Sequence, residues 1–412
     1  MLTYSSAVLY VSLFLGLYYQ IFLLITFFEK SEGSHGLGIP DINSPDLPTV
    51  SVIVPCFNEE KTVAKTVLSL LELNYPKEKL NIVVVDDGSK DSTYAEALKL
   101  TRFPNVKVFT QKNGGKYTAL NFGIKNATTE IVGCLDADST VHKDSLLKMV
   151  PYFKIEKVVA VTPAMKACKP QTFFQRMQNT EYNIGIFVKR VMGQLDAIHV
   201  TPGPFSLFQK SIFEKIGYFR HAHNTEDMEI AFRIQDHRYR IANCPTAFVY
   251  TITPPTFKKL YKQRIRWTYG FLKNAYDYKH MFMKKRYGHM GLLTLPFAIF
   301  SVVVVLLIFA NTVYHIVSFA VQHIQRYLVT GFEFKSVSFD LFFFNTHSTF
   351  LLTVAMFCGT LTIMALAWKM TEGKFRINRD IVYFIAFYGF LAPIWLIKAS
   401  CHALISKPTS WR

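Results

Sequence analysis

Residues 50–59 read Val-Ser-Val-Ile-Val-Pro-Cys-Phe-Asn-Glu. The first five side chains are apolar or small and rich in valine, which predicts a buried strand over residues 50–54. Polar residues follow Pro55, and the spacing of apolar residues over 59–73 predicts a helix with Asn58 as its N-cap. A buried strand that leads directly into a helix is the opening unit of a parallel α/β sheet.

The same alternation continues along the next hundred residues. Further strands are predicted at residues 81–85, 106–109, 130–135 and 158–162, and further helices at residues 91–100, 117–126 and 141–153. Strands that alternate with helices at this spacing predict an α/β fold class, with a Rossmann-like, doubly wound and mostly parallel sheet.

Acidic side chains follow three of the predicted strands. They are Glu59 after the first strand, Asp86 and Asp87 after the second, and Asp136 and Asp138 after the fourth. In an open α/β sheet, the ligand lies beyond the carboxyl ends of the strands. Each group alone is also explained as a turn or a helix cap, since Asp-Gly-Ser at residues 87–89 is a common turn. Three such groups in one sheet favour a shared binding site.

Asp136 and Asp138 are separated by a single residue at the end of a buried strand. Two adjacent carboxylates repel each other and are costly to desolvate. A divalent cation, Mg²⁺ or Mn²⁺, would neutralise them and bridge them to a diphosphate, although a solvated acidic turn is the alternative. Lys116 follows two glycines after the third strand, and it would add a cation to the same cleft.

Thr225-Glu226-Asp227 stands at the start of a predicted helix. Thr225 suits the N-cap and the two acids suit the helix dipole, so capping alone explains much of this motif.

Gln263, Arg266 and Trp267 have the spacing of one helix face. An Arg fork suits a diphosphate, and an exposed indole suits the apolar face of a sugar ring. An amphipathic helix at a membrane interface, with an aromatic anchor, is the alternative.

Composition and charge indicate a membrane protein. Of the 412 residues, 50% are apolar, and the formal net charge is +17. Residues 256–290 contain ten Lys or Arg against one acid and directly precede a long apolar run. A basic segment in this position is typical of a membrane surface, so a nucleic acid partner is not expected.

Four apolar segments are long enough to span a bilayer. They are residues 4–28, 291–325, 341–368 and 381–405. The excess of Lys and Arg in residues 256–290 and 369–379 predicts that these segments face the cytoplasm. The sequence therefore predicts a multi-pass protein of the cell membrane, with its polar middle in the cytoplasm.

Five motifs in this order, between membrane spans, resemble the processive family 2 glycosyltransferases, which include the cellulose, chitin, hyaluronan and poly-N-acetylglucosamine synthases. They are Pro55-Cys-Phe-Asn-Glu59, Asp86-Asp-Gly-Ser89, Asp136-Ala-Asp138, Thr225-Glu-Asp227 and Gln263-Arg-Ile-Arg-Trp267. The resemblance covers about residues 50–283 and the membrane layout. It implies a UDP-sugar donor, UDP-GlcNAc or a UDP-hexose, and inversion by direct displacement.

The resemblance also implies a role for each motif residue. Asp227 would be the catalytic base, and Asp136 and Asp138 would hold the metal. The nucleotide-sugar ligands would be Asp86, Asp87, Lys116, Asp136, Gln263 and Arg266. The acceptor ligands would be Glu226 and Trp267.

The implied domains are a membrane anchor, a linker, a cytoplasmic glycosyltransferase domain, basic amphipathic interface helices and a C-terminal membrane region of about three helices. Their expected bounds are residues 1–30, 31–49, 50–255, 256–290 and 291–412.

Three functions compete. The leading hypothesis is a synthase that polymerises a UDP-sugar onto a growing polysaccharide and translocates the product, with accessory export subunits as further partners. The alternative is a single transfer to a lipid acceptor, a polyprenyl phosphate or a sphingolipid, which would use the same donor half of the site. A non-catalytic membrane receptor is a third class, and the intact carboxylates argue against it.

Overall fold

An eight-stranded sheet forms the centre of the domain between residues 50 and 251. The computed structural model describes residues 4–29, 38–331, 348–374 and 378–405. The strands are β1 (Val50–Cys56), β2 (Leu80–Asp86), β3 (Val106–Thr110), β4 (Ile131–Cys134), β5 (Ser139–Val141), β6 (Val158–Ala167), β7 (Ser206–Gln209) and β8 (Arg240–Thr251). Their order in the sheet is β3-β2-β1-β4-β7-β6-β8-β5.

Strands β1 to β4 are mutually parallel, and the other half of the sheet is mixed. Strand β1 pairs in parallel with both β2 and β4. Strand β7 runs antiparallel to its two neighbours, β4 and β6. The parallel half therefore presents the carboxyl ends of four adjacent strands at one edge, where a ligand site is expected.

The described helices lie on both faces of the sheet and beside it. They are α1 (Tyr4–Glu29), α2 (Val63–Leu71), α3 (Thr93–Leu98), α4 (Lys116–Asn126), α5 (Ser145–Met149), α6 (Phe173–Gln194), α7 (Ile212–Ile216), α8 (Glu226–Asp236), α9 (Phe257–Asp277), α10 (Leu295–Thr330), α11 (Ser348–Glu372) and α12 (Arg379–Leu404).

Strand β1 separates two apolar cores. Every residue of β1 is buried. Its side chains alternate between the two faces: Val52 and Val54 pack in one core, and Ile53 packs in the other. This burial on both faces explains why β1 is a continuous apolar run.

The predicted α/β fold and its first four strands are confirmed, but two local predictions are wrong. Helix α2 begins at Val63 with Thr62 as its N-cap. Asn58 instead lies in a turn with φ of 56°, where its side-chain oxygen accepts a hydrogen bond from the backbone of Lys90. The helix predicted at residues 141–153 is also wrong in its first part, because Val141 ends strand β5, which pairs with β8.

Among the described residues, four helices are long and apolar enough to cross a membrane: Val8–Glu29, Met290–Thr330, Ser348–Glu372 and Arg379–Leu404. They overlap the four segments predicted from hydropathy, although residues 341–347 of the third lie outside the described residues. Helix α11 packs against α1 and α6, and α12 packs against α6 and α9. Helices α6 and α9 therefore connect the sheet domain to the long apolar helices.

Candidate active site

A cleft of about 900 Å³ opens at the carboxyl ends of the parallel strands. Its lining includes Glu59, Asp87, Lys116, Asp136, Asp138, His221, Asn224, Glu226 and Arg266. These residues come from the ends of three strands, from the starts of α4 and α8, and from α9. The structure thus brings together side chains that lie up to two hundred positions apart in the chain.

Asp87 lines the cleft, whereas Asp86 lies beneath it. The Asp87 carboxylate accepts hydrogen bonds from the backbone N–H of Gly114 at 3.0 Å and of Gly115 at 2.9 Å. Gly115 has φ of 93°, which favours glycine at the turn into α4. Asp86 is 2% exposed, and it accepts a hydrogen bond from Thr110 Oγ1 at 3.0 Å. Asp86 therefore stabilises the turn that carries Asp87.

Lys116 connects two acidic residues across the cleft. Its Nζ lies 2.6 Å from Asp136 Oδ1 and 3.3 Å from Glu226 Oε1. Burial alone would lower the pKa of Lys116, but the carboxylates, with Asp136 first, raise it above its usual value. The first turn of α4 thus holds the end of β4 and the start of α8 together through a permanently charged ammonium.

Asp136 and Asp138 fit a divalent cation by the chemistry of their oxygens. The pKa of Asp138 is raised to about 6, first by burial and next by the charge of Asp136. This carboxylate pair is therefore not fully neutralised by Lys116. Within the described ranges, no group of three or more His, Cys, Asp or Glu is arranged to hold a metal ion. The two aspartates would therefore need phosphate and water oxygens to complete an octahedral shell, as Mg²⁺ sites commonly do.

Asp227 lies in the first turn of α8. Its pKa is raised to about 6, first by burial and next by the carboxylate of Glu226, while Lys116 and Arg266 act in the opposite direction. The backbone N–H and the hydroxyl of Thr201 both donate to the carbonyl oxygen of Asp227, at 3.1 and 2.9 Å. A carboxylate with this pKa accepts a proton near neutral pH more readily than an ordinary aspartate does.

Thr225 occupies the predicted N-cap position of α8, but it does not cap the helix through its side chain. Its side chain makes no cap hydrogen bond to α8. The hydroxyl instead donates to the carbonyl of Ala222 at 3.1 Å and accepts from Asn274 Nδ2 at 2.9 Å. Thr225 therefore fixes the start of α8 against α9, the helix that carries Arg266.

The residues predicted on one face of α9 are divided between two cavities. Arg266 lines the cleft, whereas Trp267 lines a second cavity of about 150 Å³ between α6 and α9. Gln263 is half-buried, and its Oε1 has no hydrogen-bond partner among the described residues.

Lys189 also lines the second cavity. Burial lowers the pKa of Lys189 to about 8, and the carboxylate of Asp227 acts in the opposite direction. The charge of Lys189, in the second cavity, thus interacts with the charge of Asp227.

Two groups of site residues were missed by sequence reasoning. Gly203 packs on the Lys116–Asp136 ion pair, since an added Cβ would lie 2.6 Å from Lys116 Nζ and 2.7 Å from Asp136 Oδ1. His221 and Asn224 flank a turn that includes left-handed residues before α8. The Pro-Gly-Pro sequence at residues 202–204 was the available signal for the first group, because it marks a tight turn.

Comparison with known proteins agrees with this fold. A mannosyltransferase of Pyrobaculum calidifontis, solved in complex with GDP-Man and Mn²⁺, has the same fold. The likeness covers 97% of this chain and 99% of that chain, with a TM-score of 0.57 and 18% sequence identity. Residues 51–217 match the family described as Glycosyl transferase family 2. This match over residues 51–217 agrees with the resemblance that the motifs implied.

Two relatives share more sequence. The chain is 32% identical over 272 residues to the poly-beta-1,6-N-acetyl-D-glucosamine synthase of Staphylococcus aureus (strain COL). It is 32% identical over 265 residues to the enzyme of the same name from Staphylococcus epidermidis. These matches span 65% and 64% of the relatives' own lengths, and the same shares of this chain.

Proposed function

We propose that this protein is a membrane-embedded, inverting glycosyltransferase that polymerises N-acetylglucosamine from UDP-GlcNAc and translocates the product through its membrane helices. One observation carries the proposal: Asp136, Asp138, Glu226 and Arg266 line a single cleft. Asp227 is the next residue after Glu226, in the first turn of α8. The similarity to two poly-beta-1,6-N-acetyl-D-glucosamine synthases supports the choice of sugar.

The donor would lie along the strand ends, with its uridine toward Asp87 and its diphosphate toward Asp136 and Asp138. These two aspartates would hold Mn²⁺ or Mg²⁺, and the Mn²⁺ bound by the mannosyltransferase of the same fold supports this assignment. When bound, the ion would neutralise charge on the leaving diphosphate. Arg266 supplies a fixed positive charge on the same side of the cleft, and an Arg fork matches phosphate oxygens.

Asp227 would act as the base of a single displacement. The acceptor hydroxyl oxygen forms a bond to the anomeric carbon as the bond from that carbon to the diphosphate breaks, and the hydroxyl proton passes to Asp227. Attack from the face opposite the leaving group inverts the anomeric configuration. No protein acid is needed, because the diphosphate leaves as an anion.

The acceptor would approach from the side of Glu226 and Trp267. Glu226 is 5% exposed and is already paired with Lys116, so it would contribute through position and charge. Trp267 presents an indole to the second cavity, where the apolar face of a sugar ring would fit. A single transfer to a lipid acceptor would use the same donor half and is the competing outcome of the experiment below.

The proposed orientation places the sheet domain on the cytoplasmic side. Exposed basic residues surround the start of the helix that contains α10, among them Lys284, Lys285 and Arg286. Such residues favour the cytoplasmic face of a membrane with anionic lipids. All four apolar helices would then cross the bilayer, and accessory export subunits would act on the far side.

Purified full-length protein incubated with labelled UDP-sugars and Mn²⁺ tests the proposal. We expect high-mass, hexosaminidase-sensitive product from UDP-GlcNAc. Label that is only extractable into organic solvent would instead identify a lipid acceptor, and no transfer from any donor would contradict the proposal. Asp227→Asn should lose turnover but still bind UDP, whereas Asp46→Asn, an exposed substitution outside the cleft, should retain both.

A further inference from the structure

Glu181 lies between the motif helix α9 and the membrane helix α12. Its Oε2 accepts a hydrogen bond from Arg264 Nη2 at 2.8 Å. Its Oε1 accepts a hydrogen bond from the hydroxyl of Tyr388 at 3.0 Å. A single carboxylate on α6 thus bridges two side chains from different helices.

Arg264 in turn contacts the tryptophan of the motif. The Cζ of its guanidinium lies 4.5 Å from the centre of the Trp267 ring. The Arg264 side chain is 10% exposed and that of Glu181 is 23% exposed. A buried guanidinium that keeps its charge needs its carboxylate partner, so the position of Glu181 decides where Arg264 lies. The position of Arg264 then restricts the Trp267 ring.

Helix α12 is fixed against the same two helices. Asp380, near its start, accepts a hydrogen bond from Asn179 Nδ2 on α6 at 2.7 Å. Further along, Trp395 of α12 packs in an apolar cluster with Ile265 and Tyr269 of α9. Tyr388 lies between these two contacts along α12. The hydrogen bond from its hydroxyl to Glu181 therefore depends on the position of α12.

We propose that Glu181 is a positioning residue through which Tyr388 of the membrane helix α12 sets the orientation of Trp267. This inference rests on the proposed function, because Trp267 is taken to contact the acceptor sugar. A shift of α12, such as passage of a polymer beside it would require, would move Tyr388, then Glu181 and Arg264, and finally the indole. The acceptor side of the site would thereby respond to the membrane helix, while the donor cleft would not.

Tyr388→Phe removes the hydroxyl and keeps the aromatic ring, so the packing of α12 is retained. Tyr383→Phe is the matched control on the same helix: the Tyr383 ring packs on Phe173, and within the described part of the chain its hydroxyl makes no hydrogen bond. Glu181→Gln keeps the size of the side chain but removes the charge that holds Arg264. If Tyr388→Phe should fail to fold, Glu181→Gln tests the same connection from the other side.

The first readout does not depend on activity. The full-length protein is labelled with 5-fluorotryptophan, and the ¹⁹F resonance of Trp267 is assigned by its loss in Trp267→Phe. We expect this resonance to shift in Tyr388→Phe and in Glu181→Gln, and to stay in place in Tyr383→Phe. The Trp395 resonance should move in Tyr388→Phe in any case, because the two rings lie 5.9 Å apart. An unmoved Trp267 resonance in both test variants would overturn the inference, whatever reaction the protein catalyses.

The second readout separates the acceptor from the donor. With a short N-acetylglucosamine oligosaccharide as acceptor, Tyr388→Phe should raise the acceptor KM about tenfold, the effect expected when a hydrogen bond to a charged group is lost. The KM for UDP-GlcNAc and the rate of donor hydrolysis should remain at wild-type values. An equal rise in the acceptor KM and in the KM for UDP-GlcNAc would indicate that Tyr388 has a merely structural role, and it would overturn the inference. A wild-type protein that transfers no sugar would contradict the proposed function instead.

Discussion

Replacing Gly270 by alanine should push helix α9 away from the start of α8. A Cβ at this position would lie 2.2 Å from Thr225 Oγ1 and 2.3 Å from Thr225 Cγ2. Ordinary contacts need more than 3 Å, so the two elements must separate by about 1 Å or more. Thr225 is 2% exposed and Asn274 is 1% exposed, so neither side chain has free space to turn into.

The expected destabilisation follows from three contributions. Overpacking costs about 1–3 kcal/mol. Loss of the buried hydrogen bond between Asn274 and Thr225 costs about 1–3 kcal/mol. Alanine recovers about 1 kcal/mol through its higher helix propensity. The net loss of about 1–5 kcal/mol does not exceed the usual stability of a folded protein, about 5–15 kcal/mol, so the variant should fold.

The effect on catalysis should be larger than the effect on stability. Asp227 lies two residues after Thr225, and Arg266 lies one turn before Gly270, so the separation changes the distance between base and guanidinium. A misplacement of about 1 Å in a site typically costs about a hundredfold in rate. Transfer from labelled UDP-GlcNAc and the free energy of unfolding in urea measure the two effects.

Gly389→Ala is the control, because an added Cβ on this helical glycine would meet no atom within 4 Å. In a Thr225→Ala background, Gly270→Ala should cost at least about 1 kcal/mol less than in the wild type, since the two closest atoms are gone and only the Cβ of residue 225, at 2.8 Å, remains. Wild-type rate and wild-type stability for Gly270→Ala would refute the packing argument.

Three further outcomes are expected. The transfer rate should fall about tenfold per pH unit below pH 6 at saturating Mn²⁺, because the raised pKa of Asp227 means that the base becomes protonated in this range. A rate that stays constant down to pH 4.5 would show that Asp227 is not the base. The charged groups that act on this carboxyl are Glu226, Lys116, Asp136, Arg266 and Lys189. Gly203→Ala should lower the transfer rate at least about tenfold by displacing Lys116 from Asp136. Gly38→Ala is the control, because an added Cβ there would meet no atom within 4 Å. Equal transfer rates in the two variants would contradict this prediction. Excess chelator should stop transfer and Mn²⁺ should restore it, with Asp138→Asn requiring about tenfold or more Mn²⁺; full activity in chelator would exclude the metal assignment.

The parallel half of the sheet could be predicted because its signals are local. Strands β1 and β2 are unbroken apolar runs that end in polar turns, so each can be located without its partners. Strands β5 and β7 have only three and four residues, and they exist because distant strands pair with them in antiparallel fashion. No sequence window contains that information, and the helix predicted over residues 141–153 began too early for this reason, because Val141 belongs to β5.

The site residues also divide into those with a local sequence signal and those whose role depends on distant partners. The aspartates at the strand ends could be located from the rule that ligands lie beyond parallel strands. Thr225 and Arg264 could not be understood, since their partners Asn274 and Glu181 lie 49 and 83 residues away in the chain. Trp267 was expected to lie on the same face of α9 as Arg266. The two side chains line different cavities because of the helices that pack against α9, and helical spacing alone does not reveal those neighbours.

The most direct measurement is a structure of the full-length Asp227→Asn protein with UDP-GlcNAc and Mn²⁺. We expect the metal between the carboxylates of Asp136 and Asp138, the diphosphate beside Arg266, and the anomeric carbon turned toward residue 227. A nucleotide bound outside this cleft, or an anomeric carbon facing away from residue 227, would contradict the assignment of the active site.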